Sequence, residues 1–318
     1  MTLISIFEVF KVGVLVTIQD MGRKNFRHLG IPVSGAMDQL AYQIGNILLG
    51  NKRDATSIEV AIGGTILKVC HDVDIVITGA DLSPTINGQT IPMYRVIRLK
   101  QNDILTFHGA KSGVYAYIAV PDGICSKVDF ESQSSYALAK LGLVIQKGMI
   151  IHGYCNDQRD LIGLNNELHP SYLNKKVVHY IKSSHFDLLP AGLINQLSTN
   201  LLIGTSNRMG MYLHSNENFN QAFNANILSE GTTFGTIQIL PSGQTIILLA
   251  DCQTTGGYVT LGTIIHSDLP TLTQVKQGDY IKLAAIDIES ARKRNINYER
   301  FLMHLHLERQ NIIKGRTS

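Results

Sequence analysis

Asp251-Cys-Gln-Thr-Thr-Gly-Gly-Tyr258 follows directly on the apolar run Thr245–Ala250 and gathers a carboxylate, an amide, two hydroxyls and two glycines into one turn. Loops carried on a rigid β scaffold are where binding and catalytic groups concentrate. Asp251 has the chemistry of a general base or of a group that orients a polar substrate. Gln253, Thr254 and Tyr258 supply hydrogen bonds, and Gly256 lets a ligand approach the backbone. A plain hydrogen-bonded β-turn uses the same residues.

A second stretch, Thr17-Ile-Gln-Asp-Met-Gly-Arg23 followed by Gly30-Ile-Pro-Val-Ser-Gly-Ala-Met-Asp38, sets the charged pair Asp20 and Arg23 between glycine turns. It then opens onto a helix, whose first N–H groups and dipole favour an anion. Ser34 and Gly35 read as a carboxylate or phosphate seat, with Arg23 beside it; an ordinary capped helix after a tight turn reads the same way. In a third stretch, Ser229-Glu-Gly231, Glu230 is a candidate partner for Arg208 of Asn207-Arg-Met-Gly210. Exposed, such a pair contributes only about 0–1 kcal/mol; buried, it marks a site more often.

Other chemistries are excluded by motif. The chain has no GxxxxGK[ST], GxGxxG, GxSxG or HExxH. His304 and His306, two apart, face different sides of a helix, and no Cys–His grouping has zinc spacing, so no metal is expected. Lys plus Arg is 28 against 25 for Asp plus Glu, a net +3 that does not make a phosphate-tracking surface, so no nucleic acid is expected. The basic C-terminal residues Arg292, Lys293, Arg294, Arg309, Lys314 and Arg316 read as a solvated helix face. No apolar run reaches the roughly 20 residues of a membrane span, and the N-terminal MTLISIFEVFKVG lacks a signal peptide's basic region and cleavage site. Cys70, Cys125, Cys155 and Cys252 show no CxxC spacing. A cytoplasmic protein with reduced thiols is expected.

The elements that would position these residues are mostly strands. Val73–Thr78, Arg95–Leu99, Asp103–Phe107, Val114–Val120, Thr236–Leu240, Thr245–Ala250 and Tyr280–Ala284 are short, β-branched and bounded by turn residues such as Asn87-Gly88 and Ser242-Gly243. Met37, Leu40, Ala41, Ile44, Ile47 and Leu48 recur at helical spacing, with Ser34 as a possible cap and Gly50-Asn51 as a stop. A second, charged helix is expected over about 286–313. Lys100-Gln-Asn-Asp103-Ile-Leu-Thr-Phe107 matches Lys276-Gln-Gly-Asp279-Tyr-Ile-Lys-Leu283, and Ile75–Asp81 resembles Ile246–Asp251. The repeat favours two related β units, 1–165 and 166–318, the second carrying the C-terminal helix, with 156–174 as the link.

Over nearly its whole length the chain resembles the family of the bacterial 5-oxoprolinase C subunit, also described as allophanate hydrolase subunit 2 or as a biotin-dependent carboxyltransferase-like domain. The matching text is TIQDMGR at 17–23, GIPVSGAMD at 30–38, GNILLGN at 45–51, EVAIGGTIL at 59–67, TGADL at 78–82, SEGTTFGTIQ at 229–238, PSGQTIILLAD at 241–251 and QTTGGY at 253–258. The resemblance implies a mainly β fold of two cyclophilin-like β-barrel units with a few helices. It implies ATP-dependent opening of 5-oxo-L-proline to L-glutamate in a complex with the 5-oxoprolinase B subunit or its like and, transiently, the A subunit, ATP being shared with the partner. Asp251, Gln253, Thr254 and Tyr258 would then position the lactam, and Glu230 with Arg208 the opposite wall, Asp251 and Glu230 being the expected catalytic carboxylates. Two alternatives stand beside this one: carboxyl transfer from biotin to a urea-like amide, and a non-catalytic regulator that binds a partner resembling the B subunit or a kinase inhibitor. A prolyl isomerase role rests on fold analogy alone.

The chain departs from the family where arginines are expected. Gly-Ser-Arg-Ser-Thr is Glu131-Ser-Gln-Ser-Ser135, and a Gly-Pro-Arg-like turn is replaced near Lys182-Ser-Ser184. The Arg-Leu after Arg208-Met-Gly210 is Tyr212-Leu213. Asp-Arg-Gln-Thr is Asp251-Cys-Gln-Thr254, and Gly-Gly-Tyr-Pro is Gly256-Gly-Tyr-Val259. Gln, Tyr and Cys cannot reproduce a guanidinium's two-pronged charged donation, so altered substrate or weakened catalysis is expected.

Overall fold

The computed structural model describes residues 2–154, 158–172, 176–215 and 226–317, with side chains as far as Ile312. The chain is mainly β and divides into two compact units. Unit 1 comprises 1–22, 38–173 and 300–318; unit 2 comprises 23–37 and 174–299.

Unit 1 is built on two sheets. The seven-stranded sheet runs in the order Ile124–Cys125, Ile150–Tyr154, Leu3–Lys11, Ile66–Val69, Ile104–Phe107, Pro84–Ile86, Gln89–Thr90. The five-stranded sheet runs Leu15–Gln19, Ser57–Ala61, Ser112–Ala119, Val73–Asp81, Val96–Leu99. Phe7, Leu67, Leu105 and Phe107 from the first meet Ile18, Ile58, Ile75, Ile77 and Ile118 from the second in one core. Strand Val73–Asp81 is buried at every position but its last. That explains its unbroken apolar text: one face meets the core and the other carries the helix Gln39–Leu49, where Thr78 Oγ1 donates to the Ala41 carbonyl at 2.7 Å. The Asn87-Gly88 turn has φ of 50° and 83°, as a tight hairpin between Pro84–Ile86 and Gln89–Thr90 requires.

In unit 2 a sheet closes into a barrel in the order Lys176–Lys182, Thr260–Ile264, Thr236–Ile239, Thr245–Leu248, Gly210–His214, Asn200–Ser206, Tyr280–Ala285. Only the closing pair, Lys176–Lys182 with Tyr280–Ala285, is parallel. Closure leaves no open edge. A separate ribbon pairs Asn226–Gly231 with Thr255–Tyr258.

All seven expected strands are present; six differ by at most two residues at either end, and Val73–Thr78 runs three residues further, to Asp81. The repeated Lys-Gln-x-Asp text folds into the same turn in each unit. Asp103 Oδ2 accepts from Lys100 N, and Asp279 Oδ2 from Lys276 N. Asn102 and Gly278, both at positive φ, donate to the carbonyls of Val69 and Ile203, whose N–H groups donate to the carbonyls of Asp103 and Asp279. The second resemblance does not extend to side-chain chemistry: Asp81 accepts from Ser83 N, whereas Asp251 is held by an arginine.

Several expectations need correction. The helix Gln39–Leu49 is capped by Asp38, whose Oδ1 accepts from Ala41 N at 2.9 Å, not by Ser34, whose buried hydroxyl makes no hydrogen bond. Its C-terminal stop is Gly50 at φ 80°, as expected. The last helix spans Ile288–Thr317, and its Arg309 is half-buried rather than part of a solvated face: the guanidinium donates to the Leu48 and Leu49 carbonyls, complementing the helix end with charge. The side chains of Lys314 and Arg316 lie outside the described residues, as does Cys155. The units are not consecutive halves. Residues 23–37 belong to unit 2 because Ser34 N donates to the Ala250 carbonyl, and 300–318 belong to unit 1, where Arg309 is bound. The described part of the expected link packs into unit 1: Ile162, Leu164 and Tyr172 are buried, and Arg159 reaches Asp122 at 3.0 Å.

Candidate functional site

Most of the residues singled out by sequence come together on unit 2. The ladder between Gly210–His214 and Thr245–Leu248 continues past both strand ends: Leu249 N donates to the Met209 carbonyl and Asp251 N to the Arg208 carbonyl. Asn207 Oδ1 accepts from Met209 N and Gly210 N, fixing the turn. Arg208 and Asp251 therefore face each other, and the guanidinium grips the carboxylate with both prongs, Nε to Oδ2 at 2.8 Å and Nη2 to Oδ1 at 3.0 Å. Both side chains are 7% exposed. The Gly35 carbonyl accepts from Arg208 Nη2 at 2.7 Å, and Ser34 N reaches the Ala250 carbonyl at 3.0 Å. Ser34 and Gly35 both lie at positive φ, 58° and 89°. The segment 30–37 and the turn after Thr245–Leu248 thus form one structure, though Ser34 and Gly35 meet the turn through their backbone.

Glu230 is not the partner of Arg208. In the ribbon it sits opposite Gly256, 46% exposed, with an oxygen 3.5 Å from His185 Nδ1. That ring nitrogen also lies 3.1 Å from Thr260 Oγ1. Asp251 is committed to Arg208, which leaves Glu230 to the histidine, a residue that no motif marks. Gly256 is explained differently too: Gln238 Nε2 occupies the space its Cβ would need, so the glycine makes room for a buried amide. Tyr258 is partly exposed, opposite Asn226. Gln253 is exposed, with its carbonyl accepting from Thr232 Oγ1 at 2.5 Å. The Thr254 carbonyl accepts from Thr232 N at 3.0 Å. Arg23 is buried, its N–H donating to the Val33 carbonyl at 2.7 Å. Asp20, expected beside Arg23, spends its carboxylate in unit 1 on Gly22 N, Gln133 N and the hydroxyls of Ser132 and Ser134.

Arg27 carries no motif, and sequence reasoning misses it. Its Nη2 donates to the Thr232 carbonyl and, at 3.1 Å, to the Thr254 carbonyl, so it staples the two loops of the site. Burial pushes the Cys252 thiol up to about 11, against a smaller opposing pull from the Arg27 charge. The thiol stays protonated and inert at neutral pH. Of the two arginines at this turn, Arg208 is neutralised by Asp251 and Arg27 is held by neutral carbonyls. No group of three or more potential metal ligands occurs among the described residues. Two cavities of about 300 and 280 Å³ lie elsewhere, one in unit 2 near Leu193 and Thr245, the other in unit 1 between Leu164 and Phe301. No helix among the described residues is long and apolar enough to cross a membrane.

The family model "Carboxyltransferase domain, subdomain A and B" matches residues 29–285. A Haemophilus influenzae protein, named as the C subunit of 5-oxoprolinase, is 32% identical over 296 residues, covering 90% of this chain and 93% of its own. The Escherichia coli protein of the same name is 26% identical, covering 94% and 97%. Among solved structures, the Kluyveromyces lactis urea amidolyase matches 95% of this chain with a TM-score of 0.85 at 21% identity, and this chain spans 20% of that one.

Proposed function

The chain belongs to the carboxyltransferase domain family of subdomains A and B, and from that premise we propose that it is the C subunit of an ATP-dependent 5-oxoprolinase complex. In this reading it works with a partner like the B subunit of that enzyme and, transiently, with the A subunit, to open a small cyclic amide to an amino acid. The observation that carries the proposal is the end-to-end similarity to the Haemophilus protein, 32% over 90% of this chain and 93% of that one. The turn at Asp251 supports it by offering Gln253, Thr254 and Arg27 as donors to a small polar ligand. ATP would be held mainly by the partner. Asp251, with both oxygens committed to Arg208, positions the turn and does not take the proton. Cys70, Cys125 and Cys252 are free thiols, which suits the cytoplasm.

The test is 5-oxo-L-proline-dependent ATP hydrolysis and glutamate formation by the complex co-expressed with its partner subunits. Turnover that needs this chain supports the reading; an assembled complex that hydrolyses no ATP with 5-oxo-L-proline refutes it. Carboxyl transfer from biotin to a urea-like amide is the second reading, favoured by the family's own description. Activity that survives avidin treatment would exclude it.

A further inference from the structure

Resting on that reading, we propose that Arg27 is the anion-binding residue of the unit 2 site, seating a small oxyanion: the carboxylate of the lactam or a phosphoryl group transferred from ATP. The guanidinium is partly buried and fixed through one terminal nitrogen by the carbonyls of Thr232 and Thr254. Those carbonyls are themselves locked together, Thr232 N to Thr254 O at 3.0 Å and Thr232 Oγ1 to Gln253 O at 2.5 Å. The cation is therefore preorganised.

It is also uncompensated. Among the described residues no carboxylate lies within ion-pair distance of Arg27: Asp251 is taken by Arg208, and Glu230 faces His185. A partly buried charge held only by neutral acceptors gains when an anion arrives, because charge-assisted bonds are about twice as strong as neutral ones. A second unspent donor lies at the same turn. Gln238 is buried, and its Nε2, packed against Gly256, has no acceptor. Arg27 brings a guanidinium to that turn from elsewhere in the sequence, close enough for its charge to act on the Cys252 thiol.

The experiment is calorimetric titration of the full chain, alone and with its co-expressed partners, using 5-oxo-L-proline, its uncharged analogue 2-pyrrolidinone, and inorganic phosphate. Arg27→Gln should weaken oxyanion binding on the order of ten- to a hundredfold, the loss of one charged hydrogen bond. Arg27→Lys should recover part of it, and 2-pyrrolidinone should bind both variants as it binds the native chain. Arg27-dependent binding of 5-oxo-L-proline assigns the seat to the carboxylate; Arg27-dependent binding of phosphate alone assigns it to the phosphoryl group, and the seat stands even if the lactam reading fails. Oxyanion affinity unchanged in Arg27→Gln, or no oxyanion binding by the native chain, overturns the inference. Arg27→Lys with a native melting temperature guards against reading misfolding as lost affinity.

Discussion

Replacing Asp251 by Asn separates a positioning role from a catalytic one. The change keeps the side chain's size but removes the countercharge of a pair in which both partners are 7% exposed. It replaces the oxygen at 2.8 or 3.0 Å from Arg208 with an NH2 group that can only point a donor at a donor. A hydrogen bond to a charged group contributes about 1.5–3 kcal/mol. Adding the penalty of a buried guanidinium deprived of its carboxylate brings the loss to about 3–5 kcal/mol. Urea unfolding of the isolated chain should show that drop as a shift in midpoint at constant slope, since the surface exposed on unfolding is unchanged. A double-mutant cycle with Arg208→Met should return a coupling of about 2 kcal/mol or more, as residues in direct contact do. Loss of less than about 1 kcal/mol of stability, together with abolished turnover in the complex, would refute the reasoning and make Asp251 a general base.

Three further outcomes can be checked. Phe130 and Glu131 hold consecutive positive φ angles, 53° and 60°, in a turn closed by Asp129 and Ser132, where the family resemblance leads one to expect glycine at 131; Glu131→Gly should raise the urea midpoint by the equivalent of about 1 kcal/mol. Gly50 lies at φ 80°, and any Cβ there would collide with the Arg309 guanidinium, so Gly50→Ala should cost about 1–3 kcal/mol and be less costly in an Arg309→Ala background. The Cys252 thiol rises from 9.0 to about 11, so the folded state keeps a proton that the unfolded chain gives up; stability is full below pH 9 and falls by up to about 2–3 kcal/mol between pH 9 and 11. Cys252→Ala should flatten that part of the stability profile, measured by denaturation across pH.

The strands were legible because they are short, β-branched and bounded by glycine and asparagine, and the Lys-Gln-x-Asp repeat was legible because an Asp side chain and a positive-φ residue leave a fixed text. Gly50 could be read as a stop for the same reason. The site's loops could be found, but not their pairings. Glu230 and Asp251 are equivalent carboxylates on paper; only the ladder extension from Gly210 decides which of them meets Arg208. Arg27 left no signal because its partners are backbone carbonyls more than 200 positions away, and a carbonyl has no sequence signature. Gly256 illustrates the same limit: the sequence shows a missing side chain, not the Gln238 amide that fills the space.

The interleaved membership of the two units has a consequence for dissecting this protein. The chain leaves unit 1 after residue 22, re-enters it at 38, leaves again at 173 and returns at 300. No single cut, whether by a protease or at the level of the gene, yields two intact pieces. A fragment ending near 165 would lack the Arg309 clasp on its helix, and the complementary fragment would lack the strap that carries Arg27, Ser34 and Gly35. Halves expressed separately should regain their native properties only on being mixed, each supplying the segment the other is missing.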